Sequence, residues 1–192
     1  MKSLIAGICM LPGVLLGQSQ MYDVLVLGGD VGDMMITRNA SGSRKTYSLE
    51  SYTTVNYGLG KRRDHCVCKM EFENGMLVSS SMENKKNDKL NFYTYINRIG
   101  SDGYKIQTEK GLSTLSGAVS YCVYDIFFDE PSGNESVFSE RWGKFGTIQK
   151  KSDHIFKLEI PGCEDYTYNY NGGKMVKMEV PTFLGKCKFV IK

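Results

Sequence analysis

Apolar and polar residues alternate along most of the chain from about residue 44 to the C terminus. In the last segment, Cys187, Phe189 and Ile191 take one face and three lysines take the other. Residues 63–73 alternate in the same way. Successive side chains of a β-strand point to opposite faces, so this period of two predicts half-buried strands of an antiparallel sheet.

Glycine-containing turns separate these segments. Asn74-Gly75 and Asn171-Gly172-Gly173 are residues that tight hairpins with positive φ require, and Asp102-Gly103 and Pro161-Gly162 supply two further reversals. Short turns between strands predict a meander. The predicted strands cover about residues 22–28, 33–38, 44–56, 62–73, 76–83, 89–99, 103–108, 145–150, 154–160, 164–171, 174–181 and 186–191.

A twisted sheet of so many strands tends to curl, because curling removes its exposed edges. We therefore expect an all-β fold in which an antiparallel meander closes into a barrel or a strongly curved sheet. Residues 113–128 are less regular. Their apolar residues fit one face of a short helix, but residues 122–128 also alternate as in an extended segment. At most one short helix is expected, near residues 113–128.

The first 19 residues are typical of a signal peptide. Lys2 precedes an apolar run from Leu4 to Leu16, and Gly17 and Ser19 are small residues suited to cleavage before Gln20. A membrane anchor is the alternative, but the run is shorter than the roughly 20 residues that a bilayer crossing needs. We expect an exported, periplasmic or extracellular protein with a single domain over residues 20–192 and no transmembrane span after removal of the leader.

Charge and cysteine content exclude several classes of protein. The net charge of +3 over 192 residues is small, and basic clusters lie beside acidic residues, so no nucleic-acid partner is expected. If Cys9 leaves with the leader, five cysteines remain, which allows a disulfide but no complete framework. Cys66 and Cys68 share one face of a strand, and no second matching pair is present to complete a zinc site.

Residues 24–32 form an apolar run that ends in glycines, as in a dinucleotide-binding turn. That function needs a helix directly after the glycines, because its N terminus holds the pyrophosphate. The following residues have no helical pattern, so a hairpin is predicted instead and no cofactor is expected.

The sequence offers no complete catalytic motif. It lacks Gly-x-Ser-x-Gly, and only His65 and His154 could act as an imidazole base. A Cys66 or Cys68 nucleophile with His154 is formally possible but has no support from spacing. Acidic residues gather between Asp125 and Glu140, but residues 129–135 do not place oxygen ligands at the positions of a calcium loop and are predicted to form a polar surface turn. We expect no catalytic residue and no metal site.

Rows of aromatic residues are the remaining signal. Tyr166, Tyr168 and Tyr170 share one face of a strand, and Tyr93 and Tyr95 share a face of another. Such rows are candidates to line a pocket for an apolar ligand, although core packing and cross-strand pairing also explain them.

The order of these features resembles a family of exported, β-rich proteins of unknown function from Bacteroidota. The resemblance implies export and a β-rich fold, but it implies no activity and no site residues. It rests on the leader, Gly28 to Gly32, Phe72 to Leu77, Tyr124 to Pro131, Val137 to Glu140 with Gly143, and Tyr168 to Gly172.

The functional expectation is a non-catalytic binding module of the cell envelope that holds a lipid-like or other apolar ligand. The alternative is an envelope interaction or structural protein that binds another protein through a face of its sheet.

Overall fold

The computed structural model describes residues 16–58, 60–182 and 185–192, which form one antiparallel sheet of 14 strands with a single short helix in these ranges. The first eight strands are β1 Leu16–Val26, β2 Gly29–Ser41, β3 Arg44–Tyr57, β4 Gly60–Glu73, β5 Met76–Lys86, β6 Lys89–Ile99, β7 Gly103–Thr108 and β8 Gly111–Ser116. They are followed by α1 Asp125–Phe128, β9 Ser136–Ser139, β10 Lys144–Ser152, β11 Ile155–Glu159, β12 Tyr166–Asn171, β13 Lys174–Thr182 and β14 Gly185–Ile191.

The first strand lies in the middle of the sheet. From β1 the chain runs outward as a meander to the edge strand β8, then crosses to the opposite edge and returns from β9 to β14. β14 pairs with β1, with Tyr22 opposite Ile191. The two ends of the sheet are therefore far apart along the hydrogen-bonded direction, while the first and last strands are neighbours.

The predicted turns are confirmed. Asn74 and Gly75 have φ of 50° and 75°, and Gly172 and Gly173 have φ of 57° and 78°, as tight hairpins require. The glycine-rich run that resembles a dinucleotide-binding turn is a hairpin between β1 and β2. Within it Gly32 has φ of 148°, and a Cβ there would lie 1.9 Å from the carbonyl oxygen of Tyr52.

Several predicted boundaries were wrong. β8 and β9 were not predicted, and β1 and β2 are much longer than expected. Residues 111–116, part of which was assigned to the possible helix, form an exposed edge strand, and the helix covers four residues. Of the predicted leader, residues 1–15 lie outside the described residues, and residues 16–19 belong to β1.

The sheet is strongly curved around an inner segment, residues 119–128. The carbonyl of Val119 accepts a hydrogen bond from the Leu77 backbone on β5, and the carbonyl of Tyr121 accepts one from Phe138 on β9. These strands are ten steps apart in the sheet, about 48 Å if it were flat, because neighbouring strands lie about 4.8 Å apart. Val119 and Tyr121 are only two residues apart in the chain, and two residues of extended chain span at most about 7 Å. The sheet must therefore curl until its two ends approach each other.

The edges do not pair with each other. Among the described strands, β8 and β9 end the sheet on opposite sides and share no hydrogen-bonded ladder. The predicted closure into a barrel is therefore not observed, whereas the curved sheet is. The opening is spanned by the inner segment and by residues 141–143, where the Thr94 hydroxyl on β6 donates to the Arg141 carbonyl at 3.3 Å.

Asp125 anchors the inner segment to the sheet. Its carboxylate accepts a hydrogen bond from the Tyr47 hydroxyl, pairs with Lys45 Nζ at 2.7 Å and accepts the Cys122 amide at 2.9 Å. The residue is 4% exposed. A buried carboxylate is stable only when such partners replace its hydration. On the other side of α1, the Tyr170 hydroxyl donates to the Ile126 carbonyl at 2.6 Å.

Replacing Asp125 with Asn should destabilise the fold by roughly 2–4 kcal/mol, because it leaves a partly buried Lys45 without its ion-pair partner. Urea unfolding followed by the fluorescence of Trp142 measures this change. Asp33→Asn is the matched control, since that exposed carboxylate pairs with Lys192 at the surface and its loss should cost less than about 0.5 kcal/mol. Equal effects of the two variants would contradict the anchoring role.

Candidate functional site

A cavity of about 400 Å³ lies inside the curved sheet, beside the inner segment. On β3 the inner segment contacts Tyr47, whereas Leu49, Ser51 and Thr53 further along the strand face the cavity. The cavity therefore occupies the end of the interior that the inner segment leaves unfilled. Its remaining lining comes from Val24, Met34, Arg62, Asp64, Cys66, Met82, Asn84, Asn91, Phe92, Val123, Tyr124, Phe127, Ser139, Glu140, Arg141, Tyr166, Tyr168, Met178, Val180, Thr182, Cys187 and Phe189.

Most of the wall is apolar, and three methionines contribute to it. Met34, Met82 and Met178 are buried and come from both halves of the sheet. Methionine side chains are flexible and adapt to irregular shapes, so such a wall suits a ligand of variable outline. Two of the lining residues, Asn91 and Arg141, are exposed, and this places the mouth of the cavity between β6 and the turn after β9.

Glu140 is a buried carboxylate in the cavity wall. The residue is 3% exposed, and its Oε1 accepts a hydrogen bond from the Tyr124 hydroxyl at 2.8 Å. Among the described residues, Oε2 has no hydrogen-bond partner. Burial raises the pKa of this carboxyl to about 7, against smaller lowering effects from hydrogen bonds and from Arg141. The side chain is therefore poised between its neutral and charged forms near neutral pH.

Thiols and phenols surround Glu140. Desolvation raises the pKa of Cys66 to about 12. It also raises the pKa values of the other thiols and phenols beside Glu140, so none of these groups changes charge between pH 5 and 8. Arg141 is the adjacent cation. The other neighbours are Cys68 on β4, Tyr124 in the inner segment, and Tyr166 and Tyr168 on β12.

The two arginines at the cavity are held in different ways. Arg62 pairs with Asp64, with Nη2 donating to Oδ1 at 2.9 Å. The guanidinium of Arg141 instead lies over two rings, 5.1 Å from the centroid of Phe92 and 4.7 Å from that of Trp142. Cation–π contacts of this kind hold an arginine at an aromatic surface without neutralising its charge. The mouth thus keeps a positive group beside a mostly apolar interior.

The predicted aromatic residues separate into two sets. Tyr166 and Tyr168 line the cavity. Tyr170 points to the same interior but contacts the inner segment. Tyr93 and Tyr95 lie on the outer face, where the Tyr95 hydroxyl donates to Glu83 and the two rings are 5.1 Å apart.

A β-bulge places Asn91 on the cavity side of β6. Asn84 pairs with Phe92, but the next residue, Lys85, pairs with Leu90, so Asn91 is the extra residue. Both Asn91 and Phe92 consequently border the cavity, whereas strict alternation would put Asn91 on the same face as Tyr93 and Tyr95.

The histidines and acidic residues are dispersed. His65 stacks on Tyr52 and contacts Glu50, and His154 contacts Glu130. Residues 129–135 form a turn, as predicted, in which Glu135 accepts backbone amides. The five described cysteines are free thiols, and the described residues contain no cluster of His, Cys, Asp or Glu that could hold a metal ion.

Glu140 itself, together with Arg141 and Tyr124, was not singled out as a site residue from the sequence. The sequence signal was weak, because Glu140 stands next to an arginine and two adjacent charged residues are typical of a polar turn at the surface. The carboxylate is buried among side chains of β4, β12 and the inner segment, and a single sequence does not reveal these contacts.

Comparison with known proteins gives one match. A family model described as a domain of unknown function covers residues 22–192. No curated protein and no solved structure matches the chain significantly. None of the helices in the described ranges has the length and apolar character needed to cross a membrane.

Glu140→Gln should stabilise the protein more at pH 8 than at pH 5, by up to about 3 kcal/mol. The folded-state pKa of about 7 exceeds the reference value of 4.5. Between these two pH values the native state therefore keeps a proton that the unfolded chain has released. Wild-type stability therefore falls through this window as pH rises, and the variant lacks that fall. Urea unfolding at both pH values tests this, with Glu73→Gln as the control for loss of a surface carboxylate. If the wild-type protein and the variant differed in free energy of unfolding by the same amount at both pH values, the burial of this charge would be contradicted.

Proposed function

The chain belongs to the family described as Domain of unknown function (DUF6134), and on this footing we propose that it is a non-catalytic binding protein that holds a lipid-like or other apolar ligand. The observation that carries the proposal is the mostly apolar cavity of about 400 Å³ inside the curved sheet. Small-molecule sites are concave, mostly apolar and preformed, with volumes of about 300–1,000 Å³ and a few polar groups that orient the ligand.

The size of the cavity limits the ligand. A molecule of liquid water occupies about 30 Å³ and a methylene group takes a similar volume, so the cavity holds roughly a dozen non-hydrogen atoms. A single hydrocarbon chain of medium length fits this space, whereas a phospholipid with two long chains does not. Part of a longer chain could extend through the mouth beside Arg141.

The cell envelope is the proposed location. Its support is the leader pattern of residues 1–19 in the sequence, in which one lysine precedes an apolar run and small residues follow. An apolar ligand needs a carrier in an aqueous compartment such as the periplasm, and a cavity inside a sheet with a polar outer face serves that need.

A non-catalytic role is favoured by the chemistry of the wall. Burial raises the pKa of Cys66 to about 12, which keeps that thiol protonated and a poor nucleophile. Both imidazoles contact glutamates away from this wall, Glu50 for His65 and Glu130 for His154. The cavity is therefore better suited to holding a molecule than to transforming one.

Binding of another protein through the outer face is the second candidate. Met21 and Met35 are cross-strand partners on β1 and β2 and are 45% and 43% exposed. However, the neighbouring positions carry charged groups, including Glu50 opposite Met35. The exposed apolar area is therefore interrupted, and we favour the interior cavity as the binding site.

Native mass spectrometry of the protein isolated from its source without detergent should show a bound species in addition to the bare chain. The expected extra mass is roughly 150–200 Da if about a dozen non-hydrogen atoms fill the cavity. Val180→Phe, which places a ring into the cavity, should lower the bound fraction severalfold, whereas Val67→Phe on the outer face of β4 should not. A mass equal to the bare chain in repeated preparations would sink the proposal.

A further inference from the structure

The hairpins of the sheet fall into two groups, because successive turns of an antiparallel meander lie at opposite ends of its strands. The β1–β2, β3–β4, β5–β6 and β7–β8 hairpins share one end. The β13–β14 hairpin lies there too, since Val26 at the end of β1 pairs with Cys187 near the start of β14. We call this the cavity end, because Arg62 and Asn91 beside these hairpins line the cavity, whereas the inner segment contacts Leu77 at the opposite end.

Exposed leucines are concentrated at the cavity end. Leu27 in the β1–β2 hairpin is 77% exposed, and Leu90 and Leu112, which follow the next two hairpins of β5–β6 and β7–β8, are each more than half exposed. Within the described ranges, no other leucine is exposed to this degree. At the opposite end, Ile99 before the β6–β7 turn is about half exposed and serves as a comparison.

The conformation of Leu27 is unusual for its side chain. Val26 pairs with Gly29, so Leu27 and Gly28 form a two-residue loop, and their φ values are 52° and 81°. Asparagine followed by glycine is the favoured pair in such a loop, because asparagine tolerates positive φ better than leucine does. The geometry of the turn therefore does not account for a leucine here, and neither does packing, since the side chain is exposed.

Positive charge accompanies these leucines. The β3–β4 and β5–β6 hairpins, over residues 61–64 and 85–89, carry six basic and two acidic residues, a net charge of +4 against +3 for the whole chain. Asp64 pairs with Arg62, and Asp88 pairs with Arg63. Within the described part of the chain, four lysines of these hairpins remain outside ion pairs, and we call them the lysine cluster: Lys61, Lys85, Lys86 and Lys89.

The rest of the cavity end does not cancel this charge. Its other hairpins carry three acidic and three basic residues that form no ion pair with a described residue: Asp30, Glu109 and Glu164, and Lys110, Arg141 and Lys144. Leu90 lies opposite Lys85 in the ladder between β5 and β6, so an exposed apolar side chain and a basic one are direct neighbours.

We propose that the cavity end docks on the surface of a lipid bilayer that contains anionic lipids. A cluster of four or more basic residues is attracted to anionic headgroups, and apolar side chains beside it enter the boundary between headgroups and acyl chains. Leu27, Leu90 and Leu112 are the residues that enter this boundary. The mouth of the cavity lies at the same end and faces the membrane. The inference goes beyond the proposed function and does not require it, because it stands on surface residues.

An acidic protein surface is the other partner that this charge would suit. The three leucines lie on separate hairpins, and the nearest two, Leu90 on β6 and Leu112 on β8, are two strands apart, roughly 10 Å in the sheet. They therefore form no continuous apolar patch of the kind that marks a protein interface. Separate apolar side chains on hairpin tips match the fluid hydrocarbon of a bilayer, which needs no shape complementarity, and we favour the membrane.

Sedimentation with lipid vesicles tests the docking. The protein as isolated from its source is mixed with vesicles of phosphatidylcholine alone, or of phosphatidylcholine and phosphatidylglycerol at about 2:1, and the bound fraction is measured against lipid concentration. We expect at least tenfold tighter binding to the anionic vesicles at about 0.05 M NaCl, and a much smaller difference at about 0.5 M, because salt screens the attraction between exposed charges.

Leu27→Asn separates docking from folding. Asparagine suits the positive φ of this position, so urea unfolding should show stability equal to that of the wild-type protein or higher. Binding to the anionic vesicles should fall roughly tenfold, since burial of one leucine side chain changes a binding constant by about this factor. The control Ile99→Thr, which removes an exposed apolar side chain at the opposite end, should leave vesicle binding unchanged.

A second pair of variants tests the lysine cluster. The double replacement of Lys85 and Lys89 by Gln should weaken binding to the anionic vesicles by roughly an order of magnitude and leave binding to phosphatidylcholine alone unchanged. The matched control replaces Lys105 and Lys174, two exposed lysines near the opposite end, and should bind as the wild-type protein does. Both double variants lose the same charge, so they differ only in its position.

Each other outcome has a definite meaning. Failure of the wild-type protein to bind anionic vesicles at low salt would overturn the inference and leave the cavity end to a protein partner. Equal losses in the variants of the two ends would overturn it as well. Neither result touches the proposed function, which the mass of the isolated protein decides. Vesicle binding by a protein that carries no ligand would support the docking and contradict only that function.

Discussion

The curvature of the sheet depends on the attachment of the inner segment, and the rest of the interior depends on that curvature. One backbone hydrogen bond ties residue 119 to β5, another ties residue 121 to β9, and the buried carboxylate of Asp125 ties α1 to β3. These contacts draw together strands that the ladder alone would keep tens of ångströms apart. The fold thus hides its apolar face by wrapping it around a piece of its own chain, without pairing its edges.

The same arrangement explains the cavity. A short inner segment fills one end of a curved sheet of long strands, and the side chains that line the rest of the interior leave a space of about 400 Å³ between them. The wall there combines adaptable methionines with one buried acid, Glu140, whose charge is costly to bury. A preformed, mostly apolar space with a few polar groups is what the proposed binding of a small apolar molecule needs.

Sequence reasoning was reliable where local physics decides the structure. Asn74-Gly75 predicts the hairpin between β4 and β5, and the alternation around Cys66 and Cys68 predicts the buried face of β4. It failed where distant contacts decide. β8 is an exposed edge strand with little alternation, so its pattern carries no signal.

The candidate site was only partly predictable for the same reason. Alternation shows that Tyr93 and Tyr95 share a face, but not that the face is the outer one, since the curl of the sheet buries Thr94 and Ile96 on the other face. Glu140 is buried by strands distant in the sequence, so no local pattern marks it. Alternation along a regular strand predicted that Tyr166 and Tyr168 share a face, and both residues line the cavity.

The most direct test of this account is a crystal structure of the protein refolded from denaturant, which removes any carried ligand, and pressurised with xenon. Xenon enters dry apolar cavities that are already present in a fold. The account predicts xenon density between Met82, Phe127 and Met178, inside a curled and open sheet. A structure in which these side chains meet and fill the space, with no xenon between them, would contradict it.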